Sequence, residues 1–162
     1  LIVFIEHAAM MHDIGKVGIP DALLHKPSRL TPEEFEVMKA HPRIGEKIIS
    51  PIEFLAPVAT MILTHHEHWD GTGYPEGLKG DETPVGSRIV AIIDAYDAMT
   101  SDRPYRQAMS AEKAWAELRK FSGTQFDPSV VDVFIRVLEK ERAAGRKIGA
   151  NEHPEHSEHA HA

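Results

Sequence analysis

The sequence predicts an all-α domain, and three observations predict it. No stretch alternates apolar and polar residues with the period of two that a half-buried strand needs. Apolar residues instead recur at helical spacing, as in Ile89, Ile92, Ile93, Tyr96 and Met99. Helix-opening signatures stand ahead of several such runs, at Thr31-Pro32, Ser110 and Asp127-Pro128. A chain of 162 residues is one domain by length, with enough sequence for one core. Its 42% hydrophobic and 27% charged residues are ordinary for a soluble globular protein.

The elements follow in order. Leu1 to Asp13 is apolar nearly all round and reads as a buried central helix. Gly15 ends it, and Gly18, Pro20 and Pro27 mark a loop as far as Leu30. Thr31 caps the next helix, with Pro32 at its first position and Glu34 completing a capping box; Phe35, Met38 and Val37 are expected to face inward. Pro42 places a boundary at His41, because the residue before proline avoids the α region. A short helix runs on through Ile48 and Ile49, and Pro57 starts another through Val58, Met61, Ile62 and His65. A glycine-rich loop with Gly71, Gly73, Gly77, Gly80 and Gly86 leads to Ser87 as the expected cap of a helix from Arg88 to about Thr100. Ser110 opens the helix holding Trp115 and Leu118. Asp127-Pro128 opens the last, with Val130, Val131, Phe134, Ile135 and Leu138 inside. From residue 143 to 162 the apolar pattern fades into a His/Glu-rich tail, expected to be disordered, in which residues 151–162 carry four of the eleven histidines.

Composition excludes several classes. Without cysteine there are no disulfides and no thiolate metal sites. A formal charge of −7 argues against DNA and other non-specific nucleic-acid binding, which takes a basic patch. It leaves room for an anionic substrate, since bound metal ions can dominate the local field. The opening Leu-Ile-Val-Phe-Ile is far short of the roughly 20 residues that span a bilayer, and lacks the basic start of a signal peptide. No membrane segment is expected here, and the reading is of a cytoplasmic protein. The absence of an initiator Met suggests a piece cut inside a helix.

Ligand-type residues stand at three places. The first is His12-Asp13, followed by Gly15-Lys16; the second is His41 with His65-His66; the third is Asp94. Neutral imidazoles and carboxylates are the usual ligands of Zn, Fe and Mn. Asp94 lies in the apolar run Ile89-Val90-Ala91-Ile92-Ile93, where a charge is costly unless paired or ligated. Spacing alone leaves it open between such a buried carboxylate and a helix-face acid pointing to water. His7 sits about 140° from His12 around a helix and should not share its face.

These residues carry a resemblance. His12-Asp13-Ile14-Gly15-Lys16, then His41-Pro42, then His65-His66-Glu67 with Trp69-Asp70-Gly71-Thr72-Gly73-Tyr74-Pro75, then Asp94 and the run to Arg103-Pro104-Tyr105-Arg106 occur in the order of the HD-GYP family. These are cyclic di-GMP phosphodiesterases of the HD metal-dependent phosphohydrolase superfamily. The chain resembles them from Leu1 to about Glu139, and Gly73-Tyr74-Pro75 is the signature that separates this branch from other HD hydrolases. The resemblance implies an HD-domain helical bundle over residues 1–142, with two or three divalent metal ions, usually Fe or Mn. By position, His12, Asp13, His41, His65, His66 and Asp94 match the family's metal ligands, with Asp13 bridging. Lys16 matches a lysine near the scissile phosphate, and with Asp13 it is the expected catalytic pair. Arg103 and Arg106 match the groups that hold the substrate's phosphates. Tyr74 and Pro75 match the loop at the substrate mouth, which is also a docking surface for GGDEF-domain partners. Glu67 reads as a carboxylate orienting a histidine, and His68 as an exposed loop residue. A solvated loop lysine at Lys16, and a basic surface turn at Arg103 and Arg106, stand beside these roles.

The implied function is hydrolysis of cyclic di-GMP to pGpG or GMP in bacterial second-messenger signalling. The alternative is a regulatory module that binds the dinucleotide or a GGDEF partner without turnover. The family carries a further histidine, and in one branch a glutamate, on a helix ahead of Leu1, with a receiver or sensor domain upstream, as in two-component response regulators. Their absence here predicts a weakened metal shell. It also predicts a first helix left partly open to self-association, a homodimer included.

Overall fold

The computed structural model describes residues 1–102 and 107–145. Arg103, Arg106 and most of the His/Glu-rich tail lie outside the described residues. Within them the chain is helical, and its only strand-like pairing is an isolated bridge between Ser122 and Phe126. The helices are α1 (Ile2–Met11), α2 (Asp21–Leu24), α3 (Pro32–Met38), α4 (His41–Ile49), α5 (Ala56–Thr64), α6 (Val85–Thr100), α7 (Ala111–Lys120) and α8 (Pro128–Ala143). Short 3-10 turns lie at Ile14–Gly18, Glu53–Leu55 and Gly80–Glu82. No helix among the described residues is long and apolar enough to cross a membrane.

Local chemistry sets several boundaries. Thr31 Oγ1 accepts from Glu34 N at 3.3 Å while Thr31 N donates to the Glu34 carboxylate at 2.8 Å, the reciprocal capping box expected. Asp127 caps α8 by accepting from Ser129 N at 2.8 Å, and Ser110 caps α7. Ser87 does not cap α6. Proline at 84 presets the turn, the helix starts at Val85, and Ser87 lies fully buried one turn in. There its hydroxyl meets Thr64 Oγ1 at 2.7 Å, a polar tie between α5 and α6.

The core has two lobes joined by α6. Ile92 and Tyr96 pack with Trp115, Leu118, Phe126, Val131, Ile135 and Leu138 of the C-terminal half. Val90 packs with Ala8, Ile49, Val58, Ala59, Met61 and Ile62 of the N-terminal half. The central helix is therefore α6 and not α1. Of α1 only Ala8 is fully buried, while Leu1, Ile2, Val3 and Met10 are exposed. A helix apolar all round does not tell which stripe is covered, and here α1 lies at the edge against α5 and α6. Phe35 and Val37 are likewise exposed rather than inward; Phe35 packs edge-on against Tyr74 instead of entering the core. Ile93, expected inside, is also exposed on α6.

Candidate metal centre and its cleft

The site grows from helix ends. The last carbonyls of a helix lack intrahelical donors. His12, just past α1, sets Nδ1 at 2.8 Å from the Ala9 carbonyl; His65, just past α5, sets Nδ1 at 2.6 Å from the Ile62 carbonyl. His41, opening α4, does the same at 2.9 Å with the Met38 carbonyl at the end of α3. In each case Nδ1 donates to the free carbonyl; in His41 and His65 this leaves Nε2 aimed away as a base, while His12 Nε2 faces the Asp13 and Asp94 carboxylates. His41 and His65 are buried, and their Nε2 atoms have no hydrogen-bond partner. A buried, unpartnered nitrogen is costly unless something occupies its lone pair.

These atoms converge. One ring nitrogen from each of His41, His65 and His66 lies within 4.8 Å of the others. The His65 and His66 rings are 4.0 Å apart, and the His12 and His65 rings 5.2 Å. Asp13 turns one carboxylate oxygen to His41 Nε2 and the other to His12 Nε2, each at 3.6 Å. Asp94, from the middle of α6, faces His12 Nε2 at 3.5 Å, half-buried rather than turned to water. Residues from four segments of the chain thus meet, and all six candidate ligands are brought together.

A close backbone contact makes the meeting possible. A Cβ on Gly15 would lie 1.9 Å from the His41 carbonyl oxygen and 2.5 Å from the Gly45 nitrogen. Only glycine lets the turn after Asp13 sit on the first turn of α4, which carries His41 to Asp13.

Burial keeps His41, His65 and His66 neutral. It pushes His65 down to about 4 and His66 down to about 2, and it lowers His41 as well. Free lone pairs at neutral pH are what a divalent ion requires. His12 is raised, chiefly by its hydrogen bond with Asp94. Burial opposes ionisation of Asp94, but the His12 hydrogen bond and the neighbouring imidazoles hold its carboxyl below the ordinary range.

Beside the cluster opens a cleft of about 450 Å³, lined by Asp13, Lys16, His41, His66 and Asp94, and by Leu24, Phe35, Met38 and Tyr74. Lys16 pairs with Asp13 at 2.6 Å and is not a free loop lysine. The Tyr74 ring stacks on His66 at 4.9 Å, and burial pushes its phenol up, so it stays protonated. The Tyr74-Pro75 peptide is cis, and the Pro75 carbonyl accepts from Arg43 Nη2 at 3.4 Å.

Glu67 has another task than orienting a histidine. Its carboxylate, only 5% exposed, accepts from the backbone N–H groups of Glu76 at 2.6 Å, Leu78 at 3.0 Å and Gly77 at 3.2 Å. It folds the loop back on itself, and Tyr74 N donates to the His66 carbonyl at 3.2 Å. His68, expected exposed, is half-buried and meets Thr72 Oγ1 at 3.0 Å. Sequence reasoning missed the clamp and the cleft-lining role of Phe35 and Met38. The signal for the clamp was a carboxylate beside two ligand-type histidines with glycine-rich sequence after it.

A helical bundle that gathers histidines and aspartates from several helix ends beside an open cleft defines a metal-site domain of the HD class. The chain belongs to the HD domain family, whose profile matches residues 4–130. It is 52% identical over 141 residues to a cyclic di-GMP phosphodiesterase of Thermotoga maritima, spanning 85% of this chain and 38% of that protein. It is 50% identical over 140 residues to a cyclic di-GMP phosphodiesterase of Vibrio cholerae, spanning 82% and 28%. It is 47% identical over 134 residues to the cyclic di-GMP phosphodiesterase response regulator RpfG of Xanthomonas campestris, spanning 82% and 35%. The chain thus spans only about a third of the length of these relatives. Its fold matches the crystal structure of a cyclic GMP-AMP phosphodiesterase of V. cholerae with a TM-score of 0.65, at 23% identity over 88% of this chain and 39% of that one.

Proposed function

We propose that this chain is the catalytic part of an HD-GYP phosphodiesterase that hydrolyses cyclic di-GMP to pGpG or GMP. The observation that carries the reading is the convergence of the His41, His65 and His66 ring nitrogens, those of His41 and His65 buried and unpartnered, beside Asp13 at the side of an open cleft. Relatives named as cyclic di-GMP phosphodiesterases are 39–52% identical to the chain, the four most similar of them at 45–52%, and those named as 3′3′-cGAMP-specific are 36–40% identical.

The donor set fits two or three divalent ions, Fe or Mn. His12, His41, His65 and His66 would supply nitrogen, and Asp94 oxygen. Asp13, with an oxygen toward each of two imidazoles, suits a bridge. Ions held there supply a nucleophilic water at neutral pH and neutralise charge on the phosphate. The chain's own groups do the rest. Lys16 Nζ, held by Asp13 at the cleft, brings a point charge to a phosphate oxygen. Arg103 and Arg106 are read, on the resemblance, as forks for the other oxygens. Tyr74 keeps its proton and walls the His66 side of the cleft. Pro75, held by Arg43, gives that wall an outer rim, which we read also as the docking surface for GGDEF-domain proteins. A receiver or sensor domain ahead of this chain completes the proposal.

The test is an anaerobic metal count together with cyclic di-GMP turnover, on this chain and on one extended upstream, each compared with His65→Ala. Metal-dependent turnover abolished by His65→Ala is expected. An extended protein that binds no metal, or a variant as fast as wild type, would sink the reading. Preference for 3′3′-cGAMP would move it to the other group of relatives.

A further inference from the structure

The metal cluster and Lys16 account for a phosphate, but they do not account for the aromatic side of the cleft. Phe35 is 43% exposed there, on the wall of the cleft. Its apolar neighbours in the cleft are Leu24 and Met38. Tyr74 is already stacked on His66, with the planes only 28° apart. Phe35 meets Tyr74 nearly at right angles, 83° between planes and 6.4 Å between centres, so it makes an edge contact rather than a stack. Lys39 lies over both rings, its ammonium 5.2 Å from the centre of Phe35 and 5.6 Å from that of Tyr74.

We propose that Phe35 is the surface on which a purine base of the substrate stacks. The inference rests on the phosphodiesterase reading and adds what selects a nucleotide over other phosphodiesters. Aromatic faces bind bases whatever their sequence, because every base has a π-face. The ring is also pre-organised. It sits one turn into α3, whose start is fixed by the Thr31–Glu34 capping box. Phe35 touches Tyr74 and Tyr74 stacks on His66, so a base on Phe35 would lie on the wall of the cleft that leads to the metal side.

Titration calorimetry of the metal-loaded protein with GMP and with the base-free ribose 5-phosphate tests this, on wild type, Phe35→Ala and Phe35→Trp. Wild type is expected to prefer GMP, and Phe35→Ala to weaken GMP about tenfold relative to ribose 5-phosphate. Phe35→Trp is expected to keep the preference. Equal GMP affinity in wild type and Phe35→Ala overturns the proposal. So does an equal loss for both ligands, which would mean a collapsed cleft. The two readings fail separately. Turnover of cyclic di-GMP with indifferent GMP binding removes only the base surface. A GMP preference lost in Phe35→Ala, without turnover of cyclic di-GMP, removes only the hydrolase.

Discussion

Nδ1 of His65 donates to the carbonyl oxygen of Ile62 over 2.6 Å, so a helix end sets the tautomer of the most buried imidazole in the cluster. The same device serves His12 and His41. The protein thus presents Nε2 before any ion arrives, and binding needs little rearrangement.

The first prediction concerns that imidazole. His65→Ala removes one donor from the group formed with His41 and His66. Mass-spectrometric metal counting should show at least one ion fewer per chain. Metal that binds only the folded state also adds stability by mass action. Chelation should therefore lower the melting temperature of wild type by more than that of His65→Ala. An equal chelator response in both would mean that the ions sit elsewhere.

Glu67→Ala should separate loop order from metal binding. The substitution removes three hydrogen bonds from a carboxylate to backbone N–H groups and leaves those donors unmatched. Bonds to charged groups are worth about 1.5–3 kcal/mol each, and partial solvation of the loop recovers some of it. A loss of about 3 kcal/mol in chemical denaturation is expected, with KM for cyclic di-GMP raised and metal content kept. Glu67→Gln, which can still accept, should restore part of the stability.

Gly73→Ala tests the same loop from its other side. A Cβ there would lie 2.2 Å from His68 N and 2.5 Å from the His66 carbonyl oxygen. Backbone cannot yield as a side-chain tip does, so the loop must lift and carry Tyr74 off His66. Turnover should fall by at least tenfold, a misplacement cost of the kind seen when reacting groups are poorly positioned. The stacked ring can be followed by the histidine ring resonances, and an unshifted His66 signal would count against this picture.

Much of the fold was legible because its signals are local. The Thr31–Glu34 box and the Asp127 cap need only their own few residues. The coming together of His12, Asp13, His41, His65, His66 and Asp94 was legible through motif order, not through any local rule. What sequence could not tell was which face of α1 is covered, since every stripe of Ile2–Met11 but that holding Glu6 and His7 is apolar. Nor could it tell that Ser87 would tie α5 to α6, because a serine ahead of an apolar run looks the same as a cap. The task of Glu67 depends on three N–H groups that only the folded loop brings within reach.

The last prediction is a pH dependence far from the cleft. Asp127 is buried against Arg88 at 2.6 Å while capping α8 through Ser129. Burial opposes its ionisation, but the Ser129 and Arg88 hydrogen bonds outweigh it and hold the carboxyl below the ordinary value of 3.8. A depressed folded value means that the unfolded chain takes up the proton first. The carboxylate's contribution is therefore fully present above the unfolded value and is lost as pH falls through the folded one. Thermal melts should show this loss only below about pH 4. Asp127→Asn should remove that acid-limb slope and lower stability at pH 7 by about 1 kcal/mol, since the amide keeps the cap and still accepts from Arg88 but loses the charge of the pair. An unchanged acid limb in Asp127→Asn would assign the slope to other carboxylates.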